Sequence, residues 1–159
     1  MRLLLVRHAQ AEPQGTRGLA DADRPLTADG ARRFAASAGA IARVVPKPDV
    51  LLTSPLLRAR QTAVLLAAAW RDIEPTPEAA LASGSVEAIL RALEQYPRRA
   101  TVVLVGHEPT VSALLGEVLG VISSDAISFE PGAAALLDVS SPARHGGRLV
   151  WFLPPEIAQ

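Results

Sequence analysis

Two short apolar segments, far apart in the chain, each end at a histidine. Leu3–Val6 is followed by Arg7 and His8, and the β-branched run Thr101–Gly106 is followed by His107. Apolar runs of this length without helical periodicity are typical of strands buried on both faces of a parallel sheet. Ligands of such sheets bind outside the carboxyl ends of the strands, so both histidines are expected at a functional edge.

The segment after the first of these strands is a long polar loop, Ala9–Pro25. It exceeds the usual strand-to-helix connection of roughly 2 to 6 residues. We therefore expect it to form a wall or lid of the site. Within it, Arg24 has two alternatives: a salt bridge with Asp21 or Asp23, or a contact with a substrate.

Helices are predicted after this loop and after a second apolar run, Val50–Thr53. The first helix starts at the N-cap Thr27 and buries one face, because apolar residues recur at spacings of 4, 3 and 4 (Phe34, Ala38, Ile41 and Val45). The second runs from Pro55 to about Trp70, since serine followed by proline is typical of a helix start, and Ser54 is its expected N-cap. Arg58 lies in its first turn.

The rest of the chain continues the alternation of strands and helices before its character changes. The next predicted elements are a weak edge strand (Ile73–Thr76), a loop (Ala79–Ser85), an amphipathic helix (Val86–Leu93) and a further helix (Pro109–Gly120). Ala133–Val139 and Arg148–Leu153 are strands too close in sequence for a crossover helix, so they should pair as an antiparallel hairpin. We therefore expect one domain over residues 1–159, an α/β fold. It should be a three-layer α/β/α sandwich with a mostly parallel central sheet and an antiparallel C-terminal strand.

Composition excludes several classes of protein. The absence of cysteine removes disulfides, thiolate nucleophiles and cysteine-based zinc sites. Lys+Arg 16 balances Asp+Glu 16, so no global field attracts nucleic acid or an anionic membrane. No apolar stretch approaches the roughly 20 residues of a membrane span, and the first apolar run is too short for a secretory signal core. We expect a cytoplasmic protein without nucleic-acid or membrane partners.

Four side chains converge at one sheet edge if the sheet is parallel. Arg7 and His8 follow the first strand, Arg58 lies on the helix after the second, and His107 ends a later strand. Two arginines and two histidines buried together would leave donors without acceptors, and an anion resolves this conflict. The helix that begins near Pro109 would add unpaired backbone N–H groups and its positive dipole end. The pattern indicates a phosphate site.

The chemistry that fits these residues is phosphoryl transfer to an imidazole. A neutral imidazole is a good nucleophile for phosphorus, and its unperturbed pKa of about 6.5 leaves a fraction unprotonated near neutral pH. Flanking guanidiniums offset the charge of the phosphoryl oxygens in the transition state. One histidine would be phosphorylated and water would then release inorganic phosphate, with no metal or cofactor required. Three separated histidines without matching carboxylates are a weaker pattern for a metal site.

Three segments resemble the signature segments of the histidine phosphatase superfamily, also called the phosphoglycerate mutase-like fold. They are Val6–Ala9, Ser54–Ala63 and Gly106–Pro109. Asp23–Gly30 is similar to the matching stretch of the small SixA-type phosphohistidine phosphatase branch. The resemblance runs in order over nearly the whole chain, and the chain length also suits that branch.

This resemblance implies a role for each of the four converging residues. His8 would be the phosphorylated nucleophile, and Arg7 and Arg58 would bind the phosphoryl group. His107 would complete the pocket and stabilise the transferring group. The implied partner is a phosphorylated protein, such as a His-containing phosphotransfer domain, or a small phosphorylated substrate.

Two departures from the family pattern bear on the substrate. Ala9 stands where the first motif usually has glycine, a change that should be tolerated unless the backbone needs a positive φ. The general-acid glutamate of many members has no clear counterpart, since Leu81–Ser85 occupies the corresponding loop and only Glu78 and Glu87 flank it. An imidazole leaves phosphohistidine more easily than an alkoxide leaves an ester, so phosphohistidine, or another activated phosphoryl compound, is preferred over a sugar phosphate as the substrate. A small-molecule phosphatase using one of those glutamates, and a catalytically weak phosphohistidine-binding regulator, are the alternatives.

Overall fold

A computed structural model describes residues 1–121, 127–140 and 145–157 of the chain. The strands in these ranges are β1 (Arg2–Arg7), β2 (Val50–Thr53), β3 (Thr76–Pro77), β4 (Thr101–Gly106), β5 (Ala134–Val139) and β6 (Gly147–Leu153). They form one sheet in the order β3-β2-β4-β1-β5-β6, in which the first four are mutually parallel. β5 is antiparallel to β1, and β6 to β5. The predicted mostly parallel sheet with an antiparallel C-terminal strand is confirmed; the predicted turn of the hairpin includes residues 141–144, which lie outside the described residues.

Helices cover both faces of the sheet. Those in the described ranges are α1 (Ala28–Val44), α2 (Leu57–Trp70), α3 (Ala80–Ser83), α4 (Val86–Leu93) and α5 (Thr110–Leu119). Side chains alternate along β1, so Leu3 and Leu5 pack with α4 and α5, whereas Leu4 and Val6 pack with α1 and α2. Each of these four fully buried side chains stabilises the fold by about 2 kcal/mol. The three-layer α/β/α arrangement is confirmed. None of the described helices combines the length and apolar character needed to cross a membrane.

Capping confirms the predicted start of α1 and corrects that of α2. Thr27 accepts a hydrogen bond from the Gly30 N–H at 2.9 Å and is the N-cap of α1. In contrast, α2 begins two residues later than predicted, with Leu56 at the N-cap position and no side-chain cap. The prediction that Ser54 caps α2 was therefore wrong. Its hydroxyl has a different partner at the sheet edge.

The segment between β2 and β4 also differs from the sequence expectation. The predicted loop Ala79–Ser85 contains the four-residue helix α3. Its first N–H group, that of Ala80, donates to the Glu78 carboxylate at 2.9 Å, and Leu81 is buried in the core. The weak edge strand is present as the two-residue β3, which pairs in parallel with β2. Prolines on either side of Thr76 keep it short.

Candidate active site

The two histidines meet at the carboxyl ends of adjacent parallel strands. β1 and β4 pair so that Arg7 lies opposite Gly106, and the next residues are His8 and His107. The His8 backbone N–H donates to the Gly106 carbonyl at 3.0 Å. The centroids of the two imidazole rings lie 5.0 Å apart. The sheet register therefore brings together two residues that are far apart in the sequence.

A cavity of about 290 Å³ opens at this edge, and all four predicted site residues line it. Arg58 reaches it from the first turn of α2. The loop Ala9–Pro25 supplies part of its wall, as predicted. The remaining lining residues are Gln10, Ala11, Arg24, Glu108 and Pro131. The volume suits a phosphoryl group and part of the molecule that carries it.

His8 has a defined tautomer. Its Nδ1 lies 2.7 Å from the Ala9 carbonyl oxygen. A carbonyl oxygen only accepts, so Nδ1 carries the proton of the neutral ring and Nε2 keeps its lone pair. Burial, and then the neighbouring His107, Arg58 and Arg7, lower the pKa of His8 to about 3, although the hydrogen bond to Ala9 acts in the opposite direction. The ring is therefore neutral near pH 7, as a nucleophile must be.

Ala9 fits its position without backbone strain. Among the described non-glycine residues, positive φ occurs at Arg71, Asp72 and His145, and not at Ala9. The Ala9 side chain is buried, and its N–H donates to the Thr62 hydroxyl at 3.0 Å. Thr62 in turn donates to the Arg58 carbonyl at 2.7 Å. The alanine is therefore tolerated, and Thr62 links the segment after β1 to α2.

His107 is 9% exposed and is paired with a serine from the neighbouring strand. Its Nε2 lies 2.7 Å from the hydroxyl of Ser54, which follows β2 and is fully buried. Ser54, the predicted N-cap of α2, therefore binds His107 instead. Burial, and then the guanidinium of Arg58, lower the pKa of His107 to about 4, whereas Asp21 acts in the opposite direction. His107 is therefore also neutral near pH 7.

Both predicted phosphate-binding arginines are anchored by main-chain carbonyl oxygens. Nη1 of Arg7 donates to the carbonyl of Phe129. Nη1 of Arg58 donates to the Asp21 carbonyl at 2.7 Å, and its Nη2 donates to the Asp21 carboxylate at 3.1 Å. Arg58 is only 6% exposed. These contacts hold two positive charges beside the histidines before any ligand binds.

Three buried nitrogen atoms of the site have no partner among the described residues. They are Nε of Arg7, Nε of Arg58 and Nδ1 of His107. A buried donor without an acceptor costs about 1–3 kcal/mol, and more when it is charged. An oxyanion in the cavity would supply acceptors to the two guanidinium N–H groups, and to His107 Nδ1 in the tautomer that carries its proton there. The observation favours the anion site that the sequence predicts.

The N-terminus of α5 contributes less to this site than expected. Pro109 is the N-cap rather than the first helical residue. The Val111 N–H donates to the His107 carbonyl at 2.9 Å, and the Ser112 N–H is directed at the Glu108 carboxylate at 3.4 Å. Because these N–H groups already have acceptors, the positive character of the cavity comes chiefly from its arginine side chains.

The two glutamates considered as general acids lie outside the cavity wall. Glu78 accepts from the Ala80 N–H, and Glu87 pairs with Arg91 at 3.3 Å on the exposed side of α4. The described wall contains one carboxylate, that of Glu108. Neither sequence candidate is therefore placed to protonate a leaving group in this cavity.

Sequence reasoning named Asp21 only as one candidate partner of Arg24, left Arg24 with two alternatives, and missed the contact between Asp21 and Arg58. Arg24 forms a salt bridge with Asp21 at 2.8 Å and also lines the cavity, so the structure is consistent with both alternatives. Asp21 additionally binds Arg58. The i,i+3 spacing of Asp21 and Arg24 is a sequence signal for their pairing, but no spacing indicates the contact with Arg58, which depends on how the loop folds over α2.

Comparison with known proteins gives consistent matches. The sequence model of the histidine phosphatase superfamily (branch 1) matches residues 3–85, which include Arg7, His8 and Arg58. An uncharacterized protein of Picosynechococcus sp. is 41% identical over 112 residues, covering 69% of this chain and 67% of that protein. The family model spans just over half of the chain and therefore shows its superfamily.

Two solved structures share the fold over almost their whole length. A protein from Agrobacterium tumefaciens assigned as the phosphohistidine phosphatase SixA superposes with a TM-score of 0.83 at 29% identity, covering 97% of each chain. A protein from Nakamurella multipartitia with the same assignment superposes with a TM-score of 0.77 at 31% identity, covering 97% of this chain and 95% of that one. With the family model and the paired histidines of the cavity, these matches show that the chain belongs to the histidine phosphatase superfamily, in its SixA-type branch.

Proposed function

We propose that this protein is a phosphatase that acts through a phosphohistidine intermediate on His8, with protein phosphohistidine as its substrate. The observation that carries the proposal is the state of His8. Its Nδ1–H is bound by a carbonyl, its Nε2 keeps a lone pair, and its pKa is about 3 within a cavity lined by Arg7 and Arg58. This arrangement presents a neutral nucleophile to an anionic phosphoryl group.

The reaction proceeds by two displacements at phosphorus. In the first, Nε2 of His8 forms a bond to phosphorus while the bond from phosphorus to the substrate imidazole breaks. The electron pair goes to the leaving nitrogen, and an imidazole that carries its own proton departs neutral. In the second, water attacks phospho-His8, the electron pair returns to Nε2, and both water protons remain on the inorganic phosphate that is released.

Each neighbour of His8 has a distinct role in this proposal. Arg7 and Arg58 bind the phosphoryl oxygens and offset their charge in the transition state. His107 lies across the cavity with its ring centroid 5.0 Å from that of His8. Its unpartnered Nδ1 is a hydrogen-bond donor for the transferring group when Nε2 accepts from Ser54.

The positions of the two glutamates that the sequence offered as acids favour a phosphoramidate over an alkyl phosphate. Expelling an alkoxide requires a proton donor, and neither Glu78 nor Glu87 lines the cavity. The one carboxylate of the described wall, Glu108, already accepts hydrogen bonds from the Ser112 hydroxyl and the Phe129 N–H. Expelling an imidazole does not need such a donor. Two structural relatives are assigned as phosphohistidine phosphatases, which supports the same substrate class. The partner we propose is a phosphorylated protein, such as a His-containing phosphotransfer domain.

Release of inorganic phosphate from a histidine-phosphorylated protein tests this proposal. The wild-type protein is expected to turn over the substrate and to carry acid-labile phosphate after rapid quenching. His8→Ala should lose turnover by at least about a thousandfold. His145→Asn is the matched control, because His145 is exposed, lies outside the cavity and has a positive φ that asparagine tolerates. Hydrolysis that persists in His8→Ala would contradict the mechanism.

Two further measurements separate the alternatives. An alkyl phosphomonoester should be hydrolysed at least about a hundredfold more slowly than phosphohistidine, and equal rates would indicate a small-molecule phosphatase. Binding of the phosphoprotein without phosphate release over hours would indicate a regulator. EDTA is expected to leave turnover unchanged, because the described residues contain no group of three or more side chains that could hold a metal ion.

A further inference from the structure

We propose that Arg24 is a third guanidinium that binds the phosphoryl group, and that Asp21 is the positioning residue for both Arg24 and Arg58. The inference rests on the proposed function, because it assigns two more residues to the same anion site. It concerns the loop Ala9–Pro25, and it joins the two alternatives that the sequence left open for Arg24, a salt bridge with Asp21 and a contact with the substrate, into one arrangement. The argument starts from the position of Arg24.

Arg24 belongs to the cavity although it lies on a surface loop. Its side chain is 17% exposed, whereas Arg32 and Arg91, which form comparable salt bridges on helices, are 75% and 66% exposed. Arg24 lines the same cavity as His8 and His107. An arginine that served only a surface salt bridge would be as exposed as Arg32 or Arg91. The location of Arg24 is that of a residue that meets the ligand.

The guanidinium of Arg24 is fixed by the loop that carries it. Its Nε and Nη2 both contact the Asp21 carboxylate, at 2.9 and 2.8 Å, and its Nη1 donates to the Glu12 carbonyl at 2.6 Å. All three nitrogen atoms therefore have a protein acceptor. Each terminal nitrogen carries a second N–H group that these contacts leave available. A side chain held in this way loses little conformational entropy when it binds an oxyanion.

Asp21 holds Arg58 through its other oxygen atoms. Its Oδ1 binds Arg24, whereas its Oδ2 and its main-chain carbonyl bind Arg58 at 3.1 and 2.7 Å. Two guanidiniums placed beside one cavity repel each other, and the carboxylate between them offsets that repulsion. The two arginines lower the pKa of Asp21, so the carboxylate remains charged at neutral pH. One side chain therefore determines where two cations lie.

The charged side chains of the cavity wall favour an anion. Three of them are arginines, Arg7, Arg24 and Arg58, whereas Glu108 is the one carboxylate among the described lining residues. Asp21 and Glu130 interact with these arginines from outside the wall. Removing Arg24 would therefore lower the positive charge that attracts a phosphoryl dianion.

The direction in which Asp21 substitutions change the affinity for phosphate distinguishes a positioning role of Asp21 from a purely electrostatic one. If Asp21 acted only as a negative charge near an anion site, then Asp21→Ala and Asp21→Asn would bind phosphate more tightly. If Asp21 positions the arginines, both variants bind phosphate more weakly, with Asp21→Asn closer to wild type because it keeps an acceptor oxygen. The two accounts therefore predict opposite changes in one dissociation constant.

The experiment is a titration of the intact protein with inorganic phosphate, followed by NMR or calorimetry. Arg24→Ala is expected to weaken phosphate binding at least about tenfold, the factor that corresponds to one charge-assisted hydrogen bond. Arg24→Lys keeps the charge but not the planar guanidinium, so its affinity for phosphate should lie between those of the wild-type protein and Arg24→Ala. Arg32→Ala and Asp23→Ala are matched controls, since Arg32 forms an exposed i,i+3 pair with Asp29 and Asp23 lies exposed in the same turn as Asp21. Both controls should bind within about twofold of wild type.

The outcomes bear separately on this inference and on the proposed function. Phosphate binding by Arg24→Ala and Arg24→Lys that matches wild type would overturn the role of Arg24, and tighter binding by either Asp21 variant would overturn positioning. Thermal unfolding of each variant shows whether the fold is retained. Because phosphate binding needs no turnover, the titration is informative even if the wild-type protein hydrolyses no phosphohistidine. Conversely, turnover that depends on His8 but not on Arg24 would leave the proposed function intact.

Discussion

Nε2 of His107 lies 2.7 Å from the hydroxyl of Ser54, so side chains join the carboxyl ends of the adjacent strands β4 and β2. Ser54 also accepts from the Leu56 N–H at 3.3 Å, just before α2 begins. The serine therefore connects a histidine of the cavity with the start of the helix that carries Arg58. Its hydroxyl is engaged in these two contacts and does not act as the N-cap of α2.

Ser54→Ala is expected to lower both stability and turnover. The change leaves His107 Nε2 buried without its partner, at a cost of about 1–3 kcal/mol in the free energy of unfolding. Turnover should fall because the imidazole is no longer held. Ser85→Ala is the control, since Ser85 caps α4 by accepting from the Ala88 N–H at 3.2 Å and should cost about 1 kcal/mol without affecting turnover. Equal turnover in the two variants, measured beside urea denaturation, would contradict the role of Ser54.

Acidification is expected to destabilise the protein before most carboxylates titrate. The pKa values of His8 and His107 are about 3 and 4 in the folded protein, below the value of about 6.5 expected when unfolded. Between these values the unfolded chain binds more protons, so stability is greatest above about pH 6.5 and falls as the pH drops. Each histidine contributes a slope of up to about 1.4 kcal/mol per pH unit. His8→Ala should reduce the slope of the free energy of unfolding against pH between pH 6 and 5. The control His145→Asn should keep the wild-type slope, because it leaves His8 and His107 in place. A wild-type free energy of unfolding that does not change over this pH range would contradict the prediction.

Ala9→Gly introduces the glycine that is usual in the first family motif, but we expect it to destabilise the protein. Ala9 is buried and has no positive φ, so glycine would remove a packed methyl group and add freedom to the unfolded backbone. We expect a loss of about 1–2 kcal/mol by urea denaturation, with turnover changed by less than about threefold. A more stable Ala9→Gly variant would show that the alanine backbone is strained.

Substitution of glutamates should distinguish the cavity carboxylate from the two sequence candidates. Glu78→Gln and Glu87→Gln are expected to leave phosphohistidine turnover within about twofold of wild type, because neither side chain lines the cavity. Glu108→Gln should lower it by about fivefold, equivalent to about 1 kcal/mol. Glu108 Oε1 accepts from the Ser112 hydroxyl at 2.5 Å and from the Phe129 N–H at 2.8 Å, next to the carbonyl that anchors Arg7. A larger loss in Glu78→Gln than in Glu108→Gln would restore Glu78 as a candidate acid.

Most of the fold followed from local patterns. Apolar runs that stop at polar residues identified β1, β2 and β4, and helical spacing identified α1, α4 and α5. Once the sheet is parallel, topology alone brings His8, His107 and Arg58 to one edge. These predictions succeed because the spacing of apolar residues along the chain indicates which faces of each strand or helix are buried.

The predictions that were wrong or missing depend on contacts between distant residues. Ser54 followed by proline has the local signature of a helix cap, but His107 binds that hydroxyl and nothing near residue 54 indicates it. Asp21 lies in a loop without periodicity, so its contact with Arg58 could not be read from spacing. Glu78 and Glu87 flank the expected loop in sequence, yet one binds the backbone of α3 and the other faces solvent.

The anchoring of Arg7 and Arg58 by main-chain carbonyls determines which sequence changes the anion site can absorb. Every residue type has a carbonyl oxygen, so replacing the side chain at position 129 would not by itself remove the acceptor of Arg7. An insertion or deletion just before β5, or in the loop that carries Asp21, would move that oxygen and release the guanidinium. Homologous chains that keep this site should therefore keep the length of both segments. Residue type should vary at position 129 but not at position 21, because the Asp21 carboxylate also binds Arg58 and Arg24.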